Sequence, residues 1–133
     1  MLSKISKKTE SSTEMVDVTA EIAEIVKGSN VKDGVVVVSS PHTTCGITVN
    51  ENTDPGLKKD ILNALASHFP KGDAKYTHRG GNADAHIKTA LVGTSVTLLI
   101  EDRALNLGRW QSVYLCEFDG PRDRELRVKI LAG

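Results

Sequence analysis

The sequence predicts an α+β domain in which two packed sheets of short strands form a β-sandwich with short helices alongside. Three observations carry this expectation. Apolar residues alternate with polar ones over short runs, as in Val96, Leu98 and Ile100 and again in Leu126, Val128 and Ile130, the period of a strand with one buried face. Between such runs lie stretches whose apolar residues recur at helical spacing behind capping residues. No repeat or long flexible linker separates the elements, so residues 1–133 read as one domain, long enough to bury roughly two thirds of its extended surface. A doubly wound parallel sheet is disfavoured, because it needs regular crossover helices and strands buried on both faces.

In chain order, Met15 to Val18 reads as a strand. Thr19 is a candidate cap for a helix from about Ala20 to Lys27, which turns Ile22, Ile25 and Val26 inward and stops at Gly28. Val35 to Ser40 forms the next strand. After Pro41 the chain resumes as Thr44 to Asn50, with Cys45, Ile47 and Val49 on one face and Thr44, Thr48 and Asn50 on the other. Asp54 followed by Pro55 opens a helix by chemistry, since the carboxylate caps and proline's missing donor costs little at the first helical position. Leu57, Ile61, Leu62, Leu65 and Phe69 form its apolar stripe, ending near Pro70. Asn82 or Asp84 caps a further helix to about Leu91, with Asp84 and Lys88 one turn apart and Gly93 beyond its end. The remaining strands carry Val96 to Ile100, Gln111 to Phe118, and Leu126 to Ile130, with Ala104 to Leu107 as a small return segment.

Seventeen basic and seventeen acidic residues cancel, and acidic neighbours interrupt the basic ones between Arg122 and Lys129. No broad nucleic-acid footprint results. Cys45 and Cys116 fall inside apolar stretches and read as buried thiols. No apolar run approaches the roughly 20 residues that span a bilayer, and Met1 to Glu10 lacks a signal-peptide core, so a cytoplasmic protein with no membrane partner is expected.

His42, His78 and His86 each sit beside a turn or a cap rather than inside an apolar run, which makes a small polar pocket the central functional question. Neutral imidazoles suit borderline metals, and three of them with an open fourth position would admit water or a phosphate oxygen, so the residues make a candidate site for a divalent metal, zinc favoured, with surface or hydrogen-bonded histidines as the other reading of the residues alone. Glu51 follows a polar strand face and is a candidate acid–base group or a carboxylate that orients a liganding imidazole. Glu117 is a second catalytic candidate, sharing strand parity with Val113 and Leu115. Cys45 shares the apolar face of Ile47 and Val49, which favours a packed thiol over a nucleophile. Arg109 adjoins Gly108 and Trp110 in a tight turn, where a guanidinium can grip phosphate and an indole can stack. Arg122, Arg124, Arg127 and Lys129 are expected over a solvated sheet face.

Three ordered motifs then carry a family resemblance: Pro41-His42-Thr43-Thr44-Cys45-Gly46 continuing to Glu51; Tyr76-x-His78 with Gly81-Asn82-Ala83-Asp84-Ala85-His86-Ile87-Lys88; and Leu107-Gly108-x-Trp110-Gln111. From about Thr9 to Ile130 the chain resembles the YjbQ-like family, also described as secondary thiamine-phosphate synthase enzymes. The resemblance implies a homotrimer of two-sheet α+β subunits, with a pocket at three histidines that takes a metal and an anion. His42, His78 and His86 match those histidines, and Thr43, Thr44, Asn82, Gly108, Arg109, Trp110 and Gln111 fall in the matching motifs as candidate phosphate or substrate contacts. The implied reaction joins hydroxymethylpyrimidine diphosphate to thiazole phosphate with loss of pyrophosphate; a trimeric protein that binds a phosphorylated metabolite without turnover is the alternative. Two positions depart from the pattern, Arg109 where threonine is common and Gly80 where an acidic residue is frequent.

Overall fold

Short alternating runs and continuous apolar ones produce eight strands, and stretches with apolar residues at helical spacing produce three helices. A computed structural model describes residues 1–133 in the order β1 (Leu2–Lys8), β2 (Glu14–Asp17), α1 (Thr19–Ser29), β3 (Gly34–Ser39), β4 (Cys45–Glu51), α2 (Pro55–His68), α3 (Ala83–Val92), β5 (Ser95–Glu101), β6 (Ala104–Asn106), β7 (Gln111–Glu117) and β8 (Asp123–Ala132). The strands form a five-stranded sheet, β1-β8-β3-β5-β6, and a three-stranded sheet, β2-β7-β4. Every pairing is antiparallel.

The inner faces of the two sheets meet through Val36, Val38, Leu98, Leu126 and Val128 on one side and Cys45, Ile47, Val113 and Leu115 on the other, with Ile22 and Val26 of α1 closing the core. A second, smaller cluster lies on the outer face of β2-β7-β4, where Met15, Tyr114, Cys116 and Phe118 pack against Ala85 of α3 and the half-buried Ile61, Leu62 and Leu65 of α2. Strand β7 is therefore buried on both faces from Ser112 to Glu117. The chain is thus layered as sheet, sheet and helices, the two-sheet α+β sandwich that the strand periods predict.

Local details depart from expectation for physical reasons. Strand β1 was not foreseen: Ile5 is its one buried apolar residue, and a polar edge strand that pairs only with β8 needs no more. Thr19 does not cap α1, because its Oγ1 accepts from the Val113 N–H at 2.8 Å while Asp17 Oδ1 accepts from the Thr19 N–H. Gly28 continues α1, which ends at Asn30 in the left-handed region, φ 57°. Asp54 does cap α2, accepting from the Gly56 N–H at 2.8 Å, with proline in the first turn. Asp84 and Lys88 pair at 2.8 Å, but both are buried, so α3 turns charge inward and leaves Leu91 61% exposed.

Candidate functional site

Antiparallel register decides which candidate residues meet. Strands β4 and β7 pair from Cys45 opposite Glu117 to Glu51 opposite Gln111, so everything before Cys45 and after Glu117 gathers at one end of the small sheet. At that end Pro41, His42, Thr43, Thr44, Asn82, His86, Asp119, Arg122 and Arg124 line an open recess with no hydrophobic side chain in its wall. His78 stands beside it, its ring edge-on to His86 with centroids 4.9 Å apart. Seven residues of strand, about 20 Å, carry the chain to the other end, where Glu51 and the turn Gly108, Arg109, Trp110 and Gln111 lie. Within one chain these cannot reach the recess.

Beneath the recess is a buried ion pair. Arg124 is 5% exposed and Glu117 is fully buried. Arg124 donates through Nε to Glu117 Oε1 at 2.9 Å and through Nη2 to Glu117 Oε2, to Thr44 Oγ1 at 2.8 Å and to the Thr44 carbonyl at 3.2 Å. Thr9 Oγ1 and the Asp119 N–H complete the carboxylate's shell. Burial alone would raise the Glu117 carboxyl, but the bonds from Arg124, Thr9 and Asp119 together hold it below the usual range. With both oxygens committed, Glu117 is placed to hold Arg124 rather than to touch a substrate.

Arg124 corrects the reading of the carboxyl-terminal cluster. It does not join a solvated face, because it shares the inward parity of Leu126 and Val128. That parity was the available signal: a cation on an inward face requires an acidic partner, and Glu117 shares the inward parity of Val113 and Leu115. Arg122, which donates to Asp119 Oδ2 at 2.9 Å, and Asp119 itself were also not anticipated as site residues.

The histidines have different environments. His42 Nε2 accepts from the Glu125 N–H at 3.0 Å, which is possible only for the unprotonated nitrogen and leaves the neutral ring's proton on Nδ1. Burial, and then the Arg124 charge, lower the His42 pKa and favour that neutral ring. Near His78 the backbone leaves a gap. A Cβ at residue 80 would lie 2.8 Å from His78 Nε2 and 2.9 Å from Asn82 Oδ1, so Gly80 keeps open a space that both atoms border. Asn82 occupies the cap position of α3 but caps nothing; its Nδ2 donates to Asp119 Oδ2 at 2.8 Å, which fixes the amide so that the buried Oδ1 has no partner. An orphaned carbonyl oxygen beside two imidazoles fits a cation in kind. His42 as held does not join them, and no three His, Cys, Asp or Glu side chains converge at ligand distance.

Cys45 is the packed thiol that the strand period predicts: it is fully buried, and burial pushes its pKa up to about 12. Glu51 is half-buried, and its carbonyl accepts from the Tyr114 hydroxyl at 3.2 Å. Trp110 is 57% exposed on a well-bonded turn, in which the Gly108 N–H donates to Gln111 Oε1 at 2.8 Å and the Asn52 N–H to the Trp110 carbonyl at 2.8 Å.

Fold and recess define a two-sheet α+β domain with a histidine- and arginine-lined polar site between the ends of β4, β7 and β8. The chain belongs to the UPF0047 family of YjbQ-like proteins, whose family model matches residues 3–133. It is 50% identical over 131 residues to a UPF0047 protein of Methanocaldococcus jannaschii, covering 98% of this chain and 94% of the relative. It is 40% identical over 131 residues to YugU of Bacillus subtilis, covering 98% of this chain and 99% of YugU. Among solved structures, a YjbQ/UPF0047 family protein of Clostridium acetobutylicum superposes with a TM-score of 0.93 at 48% identity, covering 96% of this chain and 98% of that one. A protein of Sulfolobus solfataricus superposes with a TM-score of 0.95 at 30% identity, covering 100% and 97% of the two chains. No helix is long and apolar enough to cross a membrane.

Proposed function

We propose that the recess binds the phosphate-bearing end of a small molecule and that the chain is a transferase of the thiamine-phosphate-forming kind. In that reaction the thiazole-phosphate nitrogen bonds to the methylene carbon of hydroxymethylpyrimidine diphosphate while the bond from that carbon to the diphosphate oxygen breaks and pyrophosphate leaves. The observation that carries the reading is the recess itself, about 370 Å³ and lined by polar and charged side chains apart from Pro41, large enough for a phosphorylated heterocycle. Stabilising charge on the leaving group dominates such chemistry, and Thr43, Thr44, Arg122 and neutral His42 supply donors at one place.

A divalent metal, zinc favoured, belongs to the same proposal. His78 and His86 would hold it with Asn82 Oδ1 nearby, whereas His42 would have to release the Glu125 N–H to join. When bound, the metal would supply Lewis-acid stabilisation of the departing pyrophosphate. Asn82 presents an oxygen and therefore suits the cation or a substrate N–H better than a phosphate oxygen. Glu51, Arg109, Trp110 and Gln111 would serve the same site only if a neighbouring subunit brought its turn end to this recess, which makes the homotrimer part of the proposal.

A second reading, a phosphometabolite-binding protein without turnover, is favoured by one observation. Both carboxylates at the recess, Glu117 and Asp119, are already engaged in ion pairs, which leaves no free carboxylate base there within one chain. Incubation of metal-reconstituted protein with both substrates, quantifying thiamine phosphate and pyrophosphate, separates the two. Turnover above one product per subunit supports the transferase; tight binding without pyrophosphate release supports the binding protein. Elemental analysis of tag-free protein is expected to show metal that falls in His78→Ala and His86→Ala, and metal occupancy unchanged from the unsubstituted protein in both variants would remove the metal from the proposal.

A further inference from the structure

We propose that Arg124 is the anion-receiving group of the recess, taking the oxygens of a terminal phosphate or diphosphate through Nη1; this rests on the phosphate reading above and names its anchor. Arg124 is 5% exposed and lines the recess. Its Nε and Nη2 are fully engaged by Glu117 and Thr44. Nη1, which carries two N–H groups, makes no hydrogen bond in the chain and is not among the buried polar atoms left without a partner, so it reaches solvent, and of the two surface depressions that Arg124 borders the recess is the one that also holds Thr44, His42 and Arg122. One edge of the guanidinium is thus clamped and the remaining amino group presented in a fixed direction.

Preorganisation distinguishes this arginine from the others. Arg109 is exposed and must give up side-chain freedom to bind, and Arg122 is held by Asp119 but at an exposed position, whereas Arg124 is held and buried on folding. The partly buried setting strengthens a hydrogen bond to an anion, and Glu117 keeps the cation tolerable when no anion is present. The Thr44 hydroxyl accepts from Arg124 Nη2 and keeps its own proton to donate, and neutral His42 has Nδ1–H. A phosphate oxygen over Nη1 would find these donors around it.

The test uses inorganic pyrophosphate as the probe, with calorimetry on the full chain and ¹⁵N spectra of the arginine side chains. Arg124→Lys keeps the charge but loses the fork, and pyrophosphate affinity should fall about tenfold or more, while Arg103→Lys in the β5–β6 turn leaves it unchanged. In the unsubstituted protein the Arg124 Nε–H signal should move as pyrophosphate is added, a readout that does not depend on how well the variant folds. A motionless Arg124 signal at saturation, or undiminished affinity in a folded Arg124→Lys, overturns this inference and leaves the phosphate reading standing. Absence of pyrophosphate binding by the unsubstituted protein overturns both.

Discussion

The two ends of the β2-β7-β4 sheet carry similar densities of chemically capable residues, yet they are built differently. At the recess end, Glu117 and Arg124 form a buried ion pair with Thr9, Thr44 and Asp119 around it, and the histidines stand above. At the turn end, Arg109 and Trp110 project into solvent from a turn held mainly by backbone bonds and Gln111. The contrast teaches that motif density alone does not make a site. Charge committed to partners inside the fold makes a rigid, directional surface, whereas exposed charge waits for a partner.

Glu117→Ala attacks the contrast most directly. Leaving Arg124 buried and uncompensated should cost about 3–5 kcal/mol, read from urea denaturation, the largest loss of any variant considered. A loss below 1 kcal/mol would mean that the recess end is no more rigid than the turn.

Acid should act on the same end. Glu117 and Asp119 both sit below the ordinary carboxylate range, Asp119 because hydrogen bonds from Asn82 and Arg122 outweigh the rise that burial alone would produce. A carboxylate depressed in the folded state contributes stability above its unfolded value, about 4.3 for glutamate, and loses it as pH falls through the folded value. The urea midpoint should therefore fall on acidification below about pH 4.3, and Glu117→Gln should flatten that fall. Equal slopes in the two proteins would place the acid-sensitive groups elsewhere.

Two smaller effects sharpen the comparison from the turn end. Asp54, which follows β4 there, caps α2, and Asp54→Ala should destabilise by about 1 kcal/mol; Asp54→Asn should recover most of it by preserving the accepting oxygen. Arg109→Ala should change the chain's stability by less than about 0.5 kcal/mol. If sedimentation shows a trimer whose dissociation Arg109→Ala or Trp110→Ala promotes, the turn end is an intersubunit surface. A monomer at every concentration would remove the trimer and confine the site to the recess.

The sequence by itself determined ten of the eleven elements and the sandwich, because apolar period and turn chemistry are local. The alternation of Val96, Leu98 and Ile100, the Asp54 cap and the packed thiol of Cys45 needed only neighbours within a few residues. Strand β1 was not legible for the opposite reason: its polar residues form a strand only because β8 offers an edge more than a hundred residues away. The tertiary structure alone decided which functional residues meet. Antiparallel register sends Thr44, Glu117 and Arg124 to one end and Glu51 and Gln111 to the other, although Glu117 and Gln111 belong to one strand and Arg124 to another. It also turned Arg124 from an expected surface charge into the base of the recess. The energy of a buried cation depends on which carboxylate folding brings beside it, and that partner comes from a different strand.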